Sequence, residues 1–172
     1  AEALTIVGTG ISNGGAIRNI TGSNAVTGGI TLTGASRINS DAGALTLSGA
    51  ITATNLDLTI GGAGDTTLSG VLGLGTGTLT KDGVGTLTLN NANTYTGATT
   101  VSAGTLNIQN ATALGTTAGG VTVTAGAALQ LQGGIAVGVE ALTLDGTGVS
   151  ADGALRSMSG TNSYAGDITL WS

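Results

Sequence analysis

Short runs in which an aliphatic residue alternates with a hydroxylated or polar one recur along the whole chain. Leu4-Thr5-Ile6-Val7, Ile30-Thr31-Leu32-Thr33, Leu45-Thr46-Leu47-Ser48 and Leu56-Asp57-Leu58-Thr59-Ile60 open the series. Thr86-Leu87-Thr88-Leu89, Val121-Thr122-Val123-Thr124, Leu142-Thr143-Leu144 and Ile168-Thr169-Leu170 continue it. Alternation sends the aliphatic side chains to one face of a strand and the threonines to the other, and both residue types suit a pleated, half-buried surface. Between the runs stand Asn13-Gly14-Gly15, Asp41-Ala42-Gly43, Gly61-Gly62-Ala63-Gly64-Asp65 and Asp82-Gly83, rich in residues that accept the backbone of tight turns. No helical period is sustained; the sequence suggests one short helical turn, near Asn110-Ala111-Thr112-Ala113-Leu114. The pattern predicts an all-β chain with strands of about four to six residues.

Sliding the chain along itself until Glu2 falls on Glu140 reveals a repeat. Glu2-Ala3-Leu4-Thr5 then matches Glu140-Ala141-Leu142-Thr143, Gly15-Ala16-Ile17-Arg18 matches Gly153-Ala154-Leu155-Arg156, and Ile30-Thr31-Leu32 matches Ile168-Thr169-Leu170. Of the 32 pairs between residues 2–33 and 140–171, 17 are identical. A fainter offset, half as long, spaces Asn24, Asn93 and Asn162 equally, and likewise Gly28, Gly97 and Gly166, with Tyr95 matched to Tyr164. This divides the chain into repeats 4–72, 73–141 and a partial 142–172 within one solenoid. Each full repeat divides in turn into three units of about 23 residues. Stacked one strand spacing apart, such units give seven to eight coils in a rod on the order of 35 Å long. Ladders of Leu, Val and Ile then form the core, so a charge at Leu87 is expected to destroy folding and one at Thr88 to be tolerated.

Composition supports a thin, repetitive core. The 172 residues include 33 Gly, no Pro, Cys, His or Phe, and only three aromatics: Tyr95, Tyr164 and Trp171. Charged residues make up 8% against 40% hydrophobic, far below the roughly one quarter of ordinary domains. Positive mean hydropathy and the alternation oppose disorder. The net charge is −5, and Arg18, Arg37, Lys81 and Arg156 are scattered, which leaves no basic patch for nucleic acid. No unbroken apolar stretch is long enough for a membrane helix, and three aromatics do not furnish the girdles of an outer-membrane barrel. Ala1-Glu2-Ala3-Leu4 does not read as a signal peptide, so the sequence reads as a mature or excised piece.

The stretch from Leu79 to Leu106 resembles a known family. Lys81, Gly83, Gly85, Leu87, Leu89, Asn93, Tyr95, Gly97, Val101, Gly104 and Leu106 match the pattern of the autotransporter-associated β-strand repeat, also called the passenger-associated transport repeat. Residues 142–170 resemble a divergent copy that keeps Asn162, Tyr164 and Gly166 but lacks the Lys. Residues 4–32 diverge further, keeping Asn24 and Gly28 with Val26 at the Tyr position. The resemblance implies a right-handed parallel β-helix at the bacterial cell surface or outside the cell. It implies export by a type V route and a passenger stalk that aids folding and transport and holds a terminal domain away from the cell, for surface display or adhesion. The translocator barrel of such proteins is not written in this sequence, which implies a passenger fragment or a relative exported differently.

Candidate chemistry is sparse. Without His or Cys there is no Ser-His-Asp or Cys-His triad and no ordinary zinc or haem site. No enzyme activity, cofactor or metal site is therefore expected. Of nine carboxylates, Asp145 and Asp152 are the nearest approach to a glycosidase pair. Gly61-Gly62-Ala63-Gly64-Asp65 resembles one calcium nonapeptide with its Asp a position early, and reads as a turn. Gly73-Leu74-Gly75-Thr76-Gly77 lacks the Lys of a P-loop. Thr-x-Thr recurs at irregular spacing, as in Thr78/Thr80 and Thr122/Thr124, where ice-binding solenoids need one regular face. Asn93 and its copies read as a turn ladder. Two alternatives to a stalk remain: a filament subunit that self-associates through its end coils, with Trp171 as a terminal plug or a truncation accident, and an adhesin binding a glycan or host surface ligand.

Overall fold

The computed structural model describes residues 2–171, and the chain winds into a β-solenoid with three faces. Face I stacks Ile17–Asn19, the second half of Ile30–Ser40, Leu58–Gly61, Leu79–Lys81, Thr99–Val101, Val121–Val123, Leu142–Asp145 and Ile168–Trp171. Face II stacks Ser23–Val26, Ala44–Leu47, Asp65–Leu68, Thr86–Leu89, Gly104–Ile108, Ala127–Gln132 and Leu155–Ser159. Face III begins with Leu4–Gly8, the first half of Ile30–Ser40, Ile51–Thr52 and Leu72–Gly73, and ends with Ala136–Val137 and Ser163–Tyr164. Between them its rungs are continued by single bonds, Thr94 N–H to the Leu72 carbonyl and Thr116 N–H to the Tyr95 carbonyl. Every strand pairing is parallel, as a solenoid requires. No α-helix forms among the described residues; the suggested helical turn at Asn110–Leu114 is a hydrogen-bonded turn.

The alternation read in the sequence sets the inside and the outside. On face II, Leu45, Thr66, Leu87, Leu106, Leu129 and Leu155 form one inward file, and Leu47, Leu68, Leu89, Ile108 and Leu131 a second. Leu47, Leu87, Leu89, Leu106, Ile108 and Leu129 are fully buried. Burying each aliphatic side chain contributes roughly 1.5–3 kcal/mol, which is how the core forms almost without aromatics. Outward on face I, Thr59, Thr80, Thr100, Thr122, Thr143 and Thr169 stand in register in a single file.

Turn length differs from the uniform unit expected. Successive rungs step from Leu58 to Leu79, Thr99, Val121 and Leu142, shorter in every case than that unit. The first and last turns, Leu4 to Ile30 and Leu142 to Ile168, are longer and equal to each other. The seven strands of face II are separated by about six turns and the eight of face I by seven, so the coil count differs only slightly from the seven to eight expected. The extra length in the end turns forms two matching corners, Gly10–Gly15 and Gly148–Gly153, each enclosing a 3-10 turn. In both, two consecutive non-glycine residues take positive φ: Ser12 and Asn13 in one, Ser150 and Ala151 in the other. The first corner joins faces III and I and the second joins faces I and II. The long sequence repeat therefore spans six and one-third turns, and equivalent sequence lands one face further on.

Candidate functional site: the internal clamps of the repeat

Lys81 sits where the face I ladder calls for an aliphatic residue, between Ile60 and Val101, and only 2% of it is exposed. Its Nζ donates to the carbonyls of Asp82 (2.8 Å), Gly83 (2.7 Å) and Ala103 (3.1 Å). An ammonium has three N–H donors, and here each meets an acceptor. The bonds tie the corner between faces I and II to the same corner of the next coil. Burial pushes Lys81 down to about 8, against the attraction of Asp82 and Asp65.

The corner it holds is made of close backbone contacts. Gly83 (φ 71°) lies against the Gly62 backbone, and Gly104 (φ 66°) against the carbonyls of Gly83 and Gly85. A Cβ at either position meets backbone, and left-handed φ adds to the strain. Gly85 lies on Gly64, Gly97 on Gly77, Gly28 on the Glu2 carbonyl and Gly166 on the Glu140 carbonyl, all without room for a side chain.

On face III the asparagines of the motif bridge coils from inside. Asn93 accepts from Leu72 N–H (2.8 Å) and donates to the Ala113 carbonyl (2.6 Å), one coil to each side. The fully buried Tyr95 hydroxyl bonds Thr99 Oγ1 at 2.7 Å, and burial raises its pKa well above the ordinary range. Asn162 accepts from Gly134 and Ile135 N–H and donates to the Leu131 carbonyl. Tyr164 is half-buried, and its hydroxyl has no partner among the described residues. Asn24 lies on face II at the first coil, where it donates to Thr21 and Asn19 of its own turn. Leu87, Leu89, Val101 and Leu106 are core rungs.

Several clamps left no mark on the sequence pattern. Arg37 grips Asp82 with two bonds, 2.6 and 2.8 Å, across 45 residues of chain and two coils of the stack. Arg18 pairs with Asp41, and Arg156 with Asp152. The Arg18 hydrogen bond holds Asp41 below the usual carboxylate range. Asp57 accepts from Thr78, and Asp65 from Thr86 N–H, each one coil on. Glu140 is 3% exposed and among the described residues accepts only from Gly120 N–H, and burial raises its pKa. Its one sequence signal is its match with Glu2 in the long repeat. Asp145 and Asp152 are not brought together as a pair around a cleft: Asp145 ends a face I strand and Asp152, within the expanded corner, is bound to Arg156. Asp65 of the glycine tract accepts from Thr86 N–H of the next coil, and among the described residues no pocket opens and no three metal-ligating side chains gather.

The family model for the passenger-associated-transport-repeat matches residues 79–108. The chain carries this repeat. The match covers well under half of the chain. In space the transport repeat runs from Leu79 on face I, through faces II and III, and back over faces I and II to Ile108. Its Lys and Asn fasten one coil to the next, its Gly residues let the coils approach, and its Tyr is bonded to Thr99 within its own coil. No curated protein and no solved structure matches the chain.

Proposed function

We propose that the chain is a structural stalk segment of an autotransporter passenger, displayed outside the bacterial cell, whose folding assists its own export. The transport repeat and the solenoid together fit a passenger segment. The observation that carries the reading is that the cationic and polar side chains are taken up by partners within the rod. Arg18, Arg37, Lys81 and Asn93 are spent on coil-to-coil bonds, while Arg156 and Tyr95 are held by Asp152 and Thr99 of their own coils. Side chains that bind a ligand project into a cleft or out from a surface; these hold the rod together. Each coil contacts chiefly the coils beside it, so a chain emerging through a membrane adds one turn at a time to an existing template. Such stepwise folding hinders backsliding. The rod then serves as a spacer, which presents a glycan- or host-binding partner domain at a distance.

The test uses the turn length. The chain is placed between a signal peptide and a translocator barrel, and surface exposure is scored by added protease. Deleting residues 58–78 removes one whole turn and brings Leu79 into the place of Leu58. Export and protease resistance are expected to persist. Deleting residues 58–67 breaks the register and is expected to abolish both. Equal export and resistance of the two deletions would refute the proposal.

A further inference from the structure

After the face II strand Gly104–Ile108, the corner leading to face III presents Asn110-Ala111-Thr112. Asn followed two residues later by Thr or Ser, with any residue but Pro between, is the acceptor pattern for an N-linked sugar. So short a pattern recurs by chance, and the surroundings of the asparagine decide whether it can react. The chain has one other match, Asn19-Ile20-Thr21, and the fold treats the two in opposite ways.

Asn19 is 4% exposed. Its Nδ2 donates to Ser40 Oγ (3.0 Å) and to the carbonyls of Ala42 (3.0 Å) and Gly22 (3.3 Å). An amide nitrogen has two hydrogens, and here both are spent inside the rod. Asn110 is half-buried, with Ala111 and Thr112 exposed beside it. Its Oδ1 accepts from Thr112 N–H (2.9 Å) and from the Thr112 hydroxyl (3.1 Å). Its Nδ2 reaches solvent and bonds nothing among the described residues.

The transport repeat holds this turn from beneath. Asn93 N–H donates to the Thr112 carbonyl (3.1 Å), and Asn93 Nδ2 to the Ala113 carbonyl (2.6 Å). Ala113 N–H closes the turn on the Asn110 carbonyl (3.2 Å), and the Ala113 and Leu114 side chains are buried in the core. The inner side of the corner is thereby fixed, and the acceptor residues stand on its outer side.

The geometry points to Asn110 as an acceptor for an N-linked sugar on the folded rod. The co-substrate is a nucleoside diphosphate hexose, brought by a transferase that reads Asn-x-Thr. Nδ2 forms a bond to the anomeric carbon, and the bond from that carbon to the diphosphate oxygen breaks. The nucleoside diphosphate leaves with that electron pair, and an Nδ2 proton passes to a base of the transferase. An amide nitrogen is a weak nucleophile because its lone pair is shared with the oxygen. As Nδ2 gives up its proton, negative charge gathers on Oδ1, where Thr112 already aims two donors. Nδ2 has no bond within the rod to surrender, so the sugar leaves every coil-to-coil bond in place.

The purified folded chain, UDP-glucose and a soluble Asn-x-Thr-specific transferase make up the assay, read by intact mass and peptide mapping. One hexose is expected on Asn110 and none on Asn19. Asn110→Gln is expected to lose the addition entirely. Thr112→Ala, which deletes one donor to Oδ1, is expected to slow it by about tenfold or more, and Thr112→Ser to keep it. Matching melting curves for parent and variants confirm folding, and the glycosylated chain is expected to melt with the unmodified one. A folded chain that takes up no hexose, or takes it up equally on Asn19, overturns the inference. So does an undiminished rate in Thr112→Ala, or a glycosylated chain that melts several degrees lower.

Discussion

Lys81 makes the stability of this rod depend on pH in an uncommon direction. Burial lowers its pKa to about 8 from an ordinary 10.5. Between those values the unfolded chain holds a proton that the folded chain has released, so stability rises with pH. Each unit of pH there is worth at most about 1.4 kcal/mol. From pH 8 to pH 10 the lysine alone adds about 2 kcal/mol. The tyrosines act in the opposite sense. Burial raises Tyr95 and Tyr164 well above their ordinary 10.0, so above pH 10 the unfolded chain loses protons that the folded chain keeps. At pH 10 Tyr95 removes about 0.4 kcal/mol and the half-buried Tyr164, screened by solvent, less than that; beyond it their combined slope overtakes that of the lysine. Stability should therefore climb by about 1–1.5 kcal/mol from pH 8, peak near pH 10 and fall beyond it. Urea unfolding followed by circular dichroism measures this directly. Lys81→Met should remove the climb, and the double variant Tyr95→Phe, Tyr164→Phe the descent. If Lys81→Met no longer unfolds cooperatively, nitrogen-detected NMR of Lys81 in the parent measures its titration in place of the variant. A flat parent profile from pH 7 to 10, or a lysine titrating at its ordinary value, would refute the reasoning.

Four further outcomes are expected. Leu87→Asp, which puts a carboxylate into a fully buried file, should cost several kcal/mol and abolish cooperative melting, while Thr88→Asp on the outer face should melt within a few degrees of the parent. Glu140→Gln keeps an acceptor for Gly120 N–H and removes a buried charge, so it should raise Tm at neutral pH; burial raises the folded pKa, so the advantage should vanish below about pH 4, where the carboxyl is protonated folded or unfolded. Ala151→Asn relieves a left-handed alanine at φ 60°, where the matching corner has Asn13, and should stabilise by about 0.5–1 kcal/mol in urea midpoint at unchanged slope. Gly83→Ala should cost about 2 kcal/mol or more by the same assay, because its Cβ meets the Gly62 backbone.

The strands and the side each one turns inward were legible because a period of two reports burial directly: Leu87 and Leu89 lie in, Thr86 and Thr88 out. The clamps were legible only as a motif. Nothing in the local pattern around Lys81 says that its stem replaces an aliphatic rung, since a lone lysine beside Asp82 reads equally well as solvated. Arg37 and Asp82 meet across 45 residues, and that meeting depends on the summed length of two turns. Turn length itself was blurred by averaging: long end turns and shorter turns between them together mimic one uniform unit of intermediate length. The same averaging hid the threonine file. Thr59, Thr80, Thr100, Thr122, Thr143 and Thr169 are unevenly spaced in sequence, yet turns of unequal length bring them into line. Asn24 shares the spacing of Asn93 and Asn162 but lies on another face, because the enlarged corner shifts the first coil's phase.

That enlarged corner and its twin border the same flat surface. One rises at the edge between faces III and I near one end of the rod, the other at the edge between faces I and II near the opposite end, and the first carries an Ile11 that is 91% exposed. Face I, with its file of hydroxyls and methyls, thus lies between two raised kerbs set diagonally. Two such faces brought together would meet kerb first, and their flat parts would be held off from close contact. Rods of this shape resist bundling side by side on face I.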